Sequence, residues 1–396
     1  MELEAVGNLG MHIILSKLGP SDVASVSCVG KIFHVWASDD SLWAKFCSFD
    51  LELFSPLDPH GNPAPSFKAA YLAWREAFAM YPWSLVIRAK RCWSKLKSWL
   101  AVNFPEVLPT LRDGASEAEI DEFENSMKVK LPLPTRLLYR FCDGQELPNE
   151  EFNGSFPSTL LASATHSEKI FLLNCSTGQL FVGTRNLADG EMLPCVPDTL
   201  ISLVHESKGS EQQDAMLLWL EEHGRRLHDG TIKVRQEGKI RSINLFPEHP
   251  PLCSSAITNG VKVRASAAFV PEFSNLQDES EKFLFAYSIR MSLSPSGCVI
   301  NGMKFSSCQL YWRHWTICAN DAVVSIVNGE AVIGKFPLLH PGEDEFVYES
   351  FTPQPCSQGS IEGSFTFVPG RLADPKGDPF EVEVARFPLQ LPDYIF

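Results

Sequence analysis

The sequence predicts a multidomain α+β protein with an N-terminal helical module, an α+β middle region and an all-β C-terminal sandwich. Three observations predict this division. Helix-spaced apolar residues and helix caps dominate up to about residue 145. Residues 56–65 contain four prolines and form a turn-rich connector after the first module. From about residue 257 the apolar residues alternate with polar ones, as in half-buried strands. The predicted segments are 1–50, a linker and amphipathic helix at 51–89, 90–252 and 253–396.

Size and composition exclude several classes of protein. The 396 residues suffice for two or three domains at about 100 to 200 residues each. A net charge of −14 argues against a general nucleic-acid binder, which would carry a basic surface. No apolar run approaches the roughly 18 residues of a membrane-spanning helix, and the N-terminus lacks the pattern of a secretory signal. We therefore expect a protein of the cytoplasm and/or nucleus that binds proteins, with no nucleic-acid or membrane partner.

The cysteines and histidines do not have metal-site spacing. The closest of the eleven cysteines, such as Cys298 and Cys308, are ten residues apart, so neither a zinc knuckle nor a dense disulfide framework is predicted. We expect reduced, mostly buried thiols. His223 and His228 are five residues apart, whereas two ligands on one helix face need a spacing of three or four. We predict charged surface there and no metal.

The N-terminal module is predicted to consist of short helices that meet at a tight corner. Asn8 can cap a first helix, Gly19 and Pro20 can end it, and Ser21 can cap a second. The apolar residues cover an arc too wide for one core-facing stripe, and a module this small buries only about 60% of its unfolded surface. The remaining apolar surface predicts a protein partner.

This pattern resembles an F-box, the helical module that docks a protein onto the Skp adaptor of a cullin-based (SCF) ubiquitin ligase. The resemblance covers residues 5–47 and rests on Leu18-Gly-Pro-Ser-Asp22, Val26-Ser-Cys-Val-Gly-Lys31, Trp36 and Leu42-Trp43, although Gly10 stands where an F-box usually has proline. It implies an adaptor-binding surface formed by Leu9, Ile13, Ile14, Leu15, Leu18, Pro20, Val23, Val26 and Leu42. The alternative is a helical hairpin packed on the next domain.

The segment from residue 66 to 145 is predicted to continue as helices. One apolar stripe consists of Phe67, Tyr71, Trp74 and Phe78, and Ser66 can cap the helix that carries it. Ser116 and Glu119 form a capping box for a second helix. Pro134 suits the first position of a third helix, and Gly144 suits its end.

Residues 111–144 resemble the helix pair of the SUKH superfamily, which implies a protein-binding domain. Only residues 148–168, rich in Ser, Asn and Pro, separate Leu147 from the strand-like Lys169-Ile-Phe-Leu-Leu173. We therefore expect a middle domain that is shortened or has an incomplete sheet. Residues 178–183 are predicted to form a further strand, and residues 214–227 a closing helix.

Alternating segments after residue 257 predict an antiparallel sandwich of seven or so strands. The clearest are 261–265, 285–291, 310–317, 346–351, 364–368 and 380–384. The alternation changes phase near Arg313 and His314, which indicates a β-bulge.

Five motifs in this region resemble, in order and spacing, the ApaG family. They are Tyr287-Ser-Ile-Arg-Met291, Gln309-Leu-Tyr-Trp-Arg-His-Trp-Thr-Ile317, Val327-Asn-Gly-Glu-Ala-Val-Ile-Gly-Lys-Phe-Pro337, Leu339-His-Pro-Gly-Glu-Asp-Glu-Phe-Val-Tyr-Glu-Ser350 and Gly359-Ser-Ile-Glu-Gly-Ser-Phe365. The resemblance implies a fibronectin-III-like sandwich, found alone in bacteria and fused to F-boxes in eukaryotes.

ApaG domains often carry a Gly-x-Gly-x-x-Gly motif that has been suggested to bind pyrophosphate. Here Gly329, Ala331 and Gly334 correspond, so the middle glycine is replaced. Strand patterns flank the motif, without the following helix that supplies an anion site in nucleotide-binding folds. We favour a tight turn. The alternative is a ligand site at Gly329 and Gly334, with Arg313 and His314 forming an acid–base or anion pocket.

The combined order resembles a plant F-box protein of the Skp-interacting group. It implies a non-catalytic substrate-recognition subunit of an SCF E3 ubiquitin ligase, without a cofactor. Its partners would be the Skp adaptor, a cullin through that adaptor, and an unknown target held by the SUKH-like and/or ApaG domains for ubiquitination. The sequence has no nucleophile elbow, zinc-protease motif, P-loop or RING spacing. The alternatives are a nucleotide- or diphosphate-binding ApaG sensor or enzyme, and a Skp-binding scaffold without a degradation target.

Overall fold

The computed structural model describes residues 7–146, 169–202, 212–237 and 240–396. These residues divide into two compact units. The helical unit contains residues 7–98 and 113–143, and the sandwich unit contains residues 99–112, 144–146, 169–202, 213–237 and 240–396. This division differs from the predicted boundaries at 50, 89 and 252. The interval 148–168, for which the sequence predicted an abbreviated sheet, lies outside the described residues.

The helical unit begins with four short helices, α1 (Gly7–Leu15), α2 (Pro20–Ser27), α3 (Lys31–Ala37) and α4 (Asp40–Leu51). Two predicted caps are wrong. Asn8 lies within α1, where its side-chain oxygen accepts a hydrogen bond from Trp36 Nε1 at 2.7 Å. Gly19, not Ser21, is the N-cap of α2, because Pro20 has the fixed φ and the missing N–H that suit a first helical residue.

Four further helices follow: α5 (Phe67–Ala77), α6 (Trp83–Asn103), α7 (Glu117–Met127) and α8 (Leu133–Phe141), with a 3₁₀ helix (Pro105–Thr110) between α6 and α7. Ser66 caps α5 as predicted, since its hydroxyl accepts a hydrogen bond from the Ala69 N–H at 3.1 Å. The predicted capping box of α7 is also confirmed. Helix α8 begins one residue before Pro134 and ends at Phe141, so Gly144 lies beyond its end.

A buried guanidinium joins α7 to α8. Arg136 of α8 contacts three carboxylates of α7, Glu117 at 2.7 Å, Asp121 at 2.9 Å and Glu124 at 3.0 Å. Burial alone would raise the pKa of Glu124, but hydrogen bonds from Lys130, the Leu131 N–H and Arg136 hold this pKa below its ordinary value. The helix pair is therefore held by charges that are paired inside the unit.

The sandwich unit begins with a small sheet, a helix and a hairpin. Strands β1 (Phe171–Leu173), β2 (Leu180–Gly183) and β3 (Met192–Pro194) pair in antiparallel order. Helix α9 (Ala215–His228) is the predicted closing helix, capped by Asp214. The hairpin consists of β4 (Lys233–Glu237) and β5 (Ile240–Asn244).

Twelve further strands follow, most of them in the predicted antiparallel sandwich. They are β6 (Cys253–Thr258), β7 (Val261–Phe269), β8 (Phe283–Leu293), β9 (Cys298–Ile300), β10 (Met303–Phe305), β11 (Cys308–Ala319), β12 (Ala322–Glu330), β13 (Leu338–Leu339), β14 (Phe346–Gln354), β15 (Gln358–Arg371), β16 (Asp374–Pro375) and β17 (Phe380–Gln390). One sheet has the order β14-β8-β7-β6. The other contains β12, β11, β15 and β17 in that order, with β13 and β16 at its margins. The register of β11 shifts between Leu310 and Trp312, so the bulge precedes the predicted position near Arg313 and His314.

The core of the sandwich unit includes residues from both sides of the predicted boundary at 252. Leu180, Val182 and Trp219 belong to the same buried cluster as the inward-facing residues of the sandwich. Trp219 Nε1 donates a hydrogen bond to the carbonyl of Ile395 at 2.6 Å, and its ring stacks on Phe396. The small sheet and α9 are therefore part of the packing of the sandwich.

The structure decides several predictions about histidine and cysteine side chains. The prediction of charged surface at His223 is wrong, because this side chain is fully buried near the rings of Trp219 and Phe396. All eleven cysteines are free thiols and most are buried, as predicted. Among the described residues, no three His, Cys, Asp or Glu side chains are grouped so that they could hold a metal. None of the described helices is long and apolar enough to cross a bilayer.

Candidate functional site

Helix α1 carries two apolar stripes. Met11 and Leu15, four residues apart, are buried within the helical unit. Leu9 and Ile13 have the same spacing on another side of the helix and are exposed, as is Ile14. A stripe of exposed apolar side chains on a short helix is the kind of surface that a partner protein covers.

The structure divides the nine predicted adaptor-binding residues into three groups. Leu15, Val23 and Leu42 are fully buried. In this conformation they pack inside the module and hold it together, so their place in the adaptor-binding surface stays a prediction. Leu18, Pro20 and Val26 are partly exposed, and Leu9, Ile13 and Ile14 are the exposed residues of the set.

The surface also includes apolar residues that the sequence prediction missed. Val29 precedes α3, and Ile32 and Val35 lie on it; all three are exposed. Helix α3 is tied to α1 by the hydrogen bond between Trp36 and Asn8. The spacing of Ile32 and Val35, three residues apart on one helix face, was a signal that could have identified them.

A groove of about 1150 Å³ lies between the α1–α2 corner and α4. Leu18 and Pro20 line it on one side, and Phe46 and Phe49 of α4 on the other. Phe49 is exposed and lies outside the buried stripe of α4, and Phe54, in the segment after the helix, is also exposed. An apolar residue out of phase with the buried stripe of its helix, such as Phe49, is a sequence signal for a side chain that a partner protein covers.

Polar contacts fix the helix ends beside this surface. Asp39 caps α4, accepting hydrogen bonds from the N–H and the hydroxyl of Ser41 at 2.9 and 2.7 Å. The hydroxyl bond is the main reason why the pKa of Asp39 lies below its ordinary value. His12 Nδ1 of α1 lies 3.7 Å from the Asp39 carboxylate. These contacts join α1 to the start of α4 and so hold the exposed stripe in place.

The second candidate site is the glycine motif between β12 and β13. Ala331, Ile333 and Gly334 all have left-handed φ angles of 62°, 44° and 72°. The turn is closed by two hydrogen bonds between the backbones of Val332 and Lys335, at 3.0 and 2.8 Å. The following element is the short strand β13, not a helix, so the motif lacks a helix N-terminus to hold a phosphate. This is the tight turn that the sequence favoured.

The structure does not bring Arg313 and His314 into one pocket. They are successive residues of β11, so their side chains point to opposite faces of the sheet. His314 Nδ1 lies 2.8 Å from Asn328 Oδ1. Arg313 is opposite Gly329 in the ladder, and its charge acts on Tyr348 of the core, whose pKa is raised by burial. The acid–base or anion pocket suggested for this pair is therefore not formed.

Comparison with known proteins relates the whole chain to F-box proteins and its C-terminal region to the ApaG family. The ApaG domain family matches residues 273–369. The chain is 56% identical to F-box protein SKIP16 of Arabidopsis thaliana over the whole of both chains. It is 23% identical to F-box only protein 3 of Homo sapiens, over all of this chain and 84% of that protein. It is also 34% identical to Protein ApaG of Anaeromyxobacter dehalogenans, over 35% of this chain and 96% of that protein.

Proposed function

This chain belongs to the family of F-box proteins that includes SKIP16 of Arabidopsis thaliana, and we propose that it is the substrate-recognition subunit of an SCF ubiquitin ligase. In this proposal the helical unit binds the Skp adaptor and, through it, a cullin. The sandwich unit and the SUKH-like helices hold a target protein. The resemblance of residues 111–144 to SUKH proteins remains a prediction. We expect the protein to act in the cytoplasm and/or nucleus.

The observation that carries the adaptor proposal is the exposed apolar stripe of α1. Leu9, Ile13 and Ile14 are apolar, lie on one short helix and are covered by no other described part of the chain. Burying each such side chain at an interface contributes roughly 1.5 to 3 kcal/mol. The partly exposed Leu18 and Pro20 extend this surface to the groove beside α4.

The mechanism in this proposal is proximity, and the chain itself performs no covalent chemistry. A target bound to the sandwich unit and a conjugating enzyme bound elsewhere in the complex become parts of one assembly. Transfer to a target lysine then proceeds at the effective concentration that the assembly sets, about millimolar for short flexible connections. The chain therefore needs two docking surfaces and no catalytic group.

A pull-down with the Skp adaptor tests the proposal. We expect Ile13→Asp to lower recovery of the adaptor by about tenfold or more, because a carboxylate would be buried without a partner at the interface. Leu72→Asp is the matched control. Leu72 lies on α5 of the same unit and is 52% exposed, against 53% for Ile13. Equal recovery of the two variants would exclude α1 as the docking helix.

The control also separates docking from folding. Both side chains are exposed, so each substitution should leave the circular dichroism and the unfolding midpoint nearly unchanged. Leu15→Asp is unsuitable for this purpose, because Leu15 is buried and its replacement would unfold the module. If no adaptor is recovered even with the unchanged chain, the assignment to an SCF complex is contradicted.

A further inference from the structure

Strand β12 forms one edge of the sandwich. It pairs with β11 along its length, from Ala322 opposite Ala319 to Glu330 opposite Trp312. No other strand in the described part of the chain pairs with it. Alternate residues of an edge strand direct their N–H and C=O groups away from the sheet, where they can pair with another chain.

The composition of β12 does not protect this edge. Natural edge strands are commonly protected by lysine, by proline or by a covering segment. Residues 322–329 contain no charged residue and no proline, and the only charge of the strand is Glu330 at its end. Val323, Val324 and Ile326 are exposed although they are β-branched and apolar. The strand therefore combines free backbone groups with residues that favour sheet formation.

The opposite edge of the same sheet shows the contrast. Strand β17 carries Glu381, Glu383 and Arg386 on its length and Pro388 near its end. Strand β6 also covers it, since Ser254 Oγ donates a hydrogen bond to the Ala385 carbonyl at 2.6 Å. The edge strand β14 of the other sheet contains a glutamate and a proline. Strand β6, the second edge of that sheet, is also uncharged, but it lies against β17. Among the described edge strands of the two sheets, β12 is the one that combines an uncharged apolar sequence with an uncovered edge.

The usable length of the edge runs from Ser325 to Glu330. The register with β11 shifts between Ile317 and Cys318, which leaves Val324 as the extra residue of a bulge. From Ser325 onward the ladder is regular and spans roughly 20 Å at 3.3 Å per residue. In this stretch Val327 packs against the core, whereas Ile326 is exposed on the other face. An added strand could therefore contact Ile326 while pairing with the backbone.

We propose that β12 binds an extended segment of the target protein, which adds to the sheet as an antiparallel strand. The inference rests on the proposed function, because it names how a target would be held. The segment has a β-branched apolar residue beside Ile326 and a lysine or arginine opposite Glu330, where charge complementarity favours a cation. The net charge of −14 also favours a basic segment.

The size of the surface favours an extended segment over a second copy of this chain. The regular part of the edge, from Ser325 to Glu330, is roughly 20 Å long, and a strip of about 10 Å width along it covers on the order of 200 Å². A stable interface between folded proteins needs about 800 Å² on each partner. A flexible segment gains main-chain hydrogen bonds and side-chain contacts on both faces without requiring that area.

The test measures binding of a synthetic ten-residue peptide to the full chain. The peptide has a lysine at each end and alternating valine and threonine between them. A second peptide carries N-methyl groups on alternate residues, which removes donors and leaves the side chains in place. We expect the first peptide to bind and the methylated peptide to bind at least about tenfold more weakly. Amide hydrogen exchange should slow in β12 when the first peptide is bound.

Two matched variants locate the binding. Ile326→Lys should weaken binding about tenfold, because it places a charge on the free edge. Ile257→Lys should leave it unchanged, since Ile257 lies on β6 and is 66% exposed, against 67% for Ile326. Both variants should still recover the Skp adaptor, so a failure of adaptor docking can be distinguished from a failure of this inference.

Three results would overturn the inference. The first is no binding of the unmethylated peptide, and the second is equal binding of the two peptides, which would indicate an apolar patch without strand pairing. The third is a dimer of the chain that Ile326→Lys abolishes, which would assign the edge to a second copy. The inference is supported if the peptide protects the β12 amides of the unchanged chain from exchange and if its binding is weakened by Ile326→Lys but not by Ile257→Lys.

Discussion

Gly363 shows how one residue permits two strands of the sandwich to approach. It lies on β15 opposite Trp315, where the pairing of β15 with β17 shifts register. A Cβ atom at this position would lie 1.9 Å from the carbonyl oxygen of His314. No side chain fits there, because the obstacle is the backbone of β11 and cannot rotate away. Packing by itself therefore requires this motif glycine.

We predict that Gly363→Ala destabilises the sandwich unit by about 3 kcal/mol or more, because the β11–β15 ladder must separate to admit the methyl group. Urea unfolding followed by circular dichroism measures the change. Gly329→Ala is the control, since a Cβ at Gly329 would meet no atom within 4 Å. Similar losses in the two variants would contradict the steric explanation.

At the same scale, α1 shows what periodicity cannot decide. Met11 and Leu15 form one apolar pair at a spacing of four, and Leu9 and Ile13 form another. Both pairs have the same helical signal. Only the position of the neighbouring helices buries the first pair and exposes the second. The sequence could therefore identify an excess of apolar surface but not assign Leu15 to the core.

At the scale of elements, the α7–α8 pair depends on Arg136. Its side chain is 7% exposed and contacts Glu117, Asp121 and Glu124, the last of which is 2% exposed. Tyr81 adds to this network, because its hydroxyl donates to Glu117 at 2.9 Å and accepts from Arg136 Nε at 3.2 Å. Removing the guanidinium would take one of its two cationic partners from Glu124, the carboxylate of this group that is buried, and would leave a cavity between the helices.

We predict that Arg136→Ala lowers the free energy of unfolding of the helical unit by about 3 to 5 kcal/mol. Arg91→Ala should cost less than about 1 kcal/mol, because Arg91 pairs with Glu52 at 3.3 Å and both side chains are well exposed to solvent. Chemical denaturation of both variants measures the difference. A cost for Arg136→Ala as small as that for Arg91→Ala would show that the network contributes little.

The start and end of these elements differ in how well the sequence predicts them. The capping box of α7 and the Ser66 cap of α5 were predicted correctly, because each depends on side chains within four residues. Ser21 has the same capping chemistry, but α2 begins earlier because Pro20 occupies its first position. The position of the bulge in β11 was predicted wrongly, because it depends on the pairing with β15, which is distant in sequence.

At the scale of the molecule, the sandwich unit includes elements that precede it in the sequence. Trp219 of α9 is buried in the common core, stacks on Phe396 and bonds to the carbonyl of Ile395. Leu180 and Val182 of β2 join the same core. The sandwich of this chain therefore has packing partners outside residues 253–396.

We predict that Trp219→Ala destabilises the sandwich itself, by about 3 to 5 kcal/mol, because it leaves a large cavity in the shared core. Amide hydrogen exchange of peptides from β15 and β17 should become faster. If residue 252 were a true domain boundary, exchange in those strands would not change. Trp99→Ala is the comparison and should leave exchange in β15 and β17 unchanged, because Trp99 of α6 is not part of this core.

The sequence by itself determined the helical start, the antiparallel sandwich, the absence of metal spacing among the cysteines and the two motif regions that identify the family. These properties depend on local spacing and on residue types, which the chain carries at every position. The tertiary structure alone decided which apolar stripe of α1 is exposed, that Arg313 and His314 face apart, that α9 packs with the sandwich, and that no described strand pairs with the outer edge of β12. Each of these depends on contacts between segments distant in sequence, because burial is a property of neighbours in space.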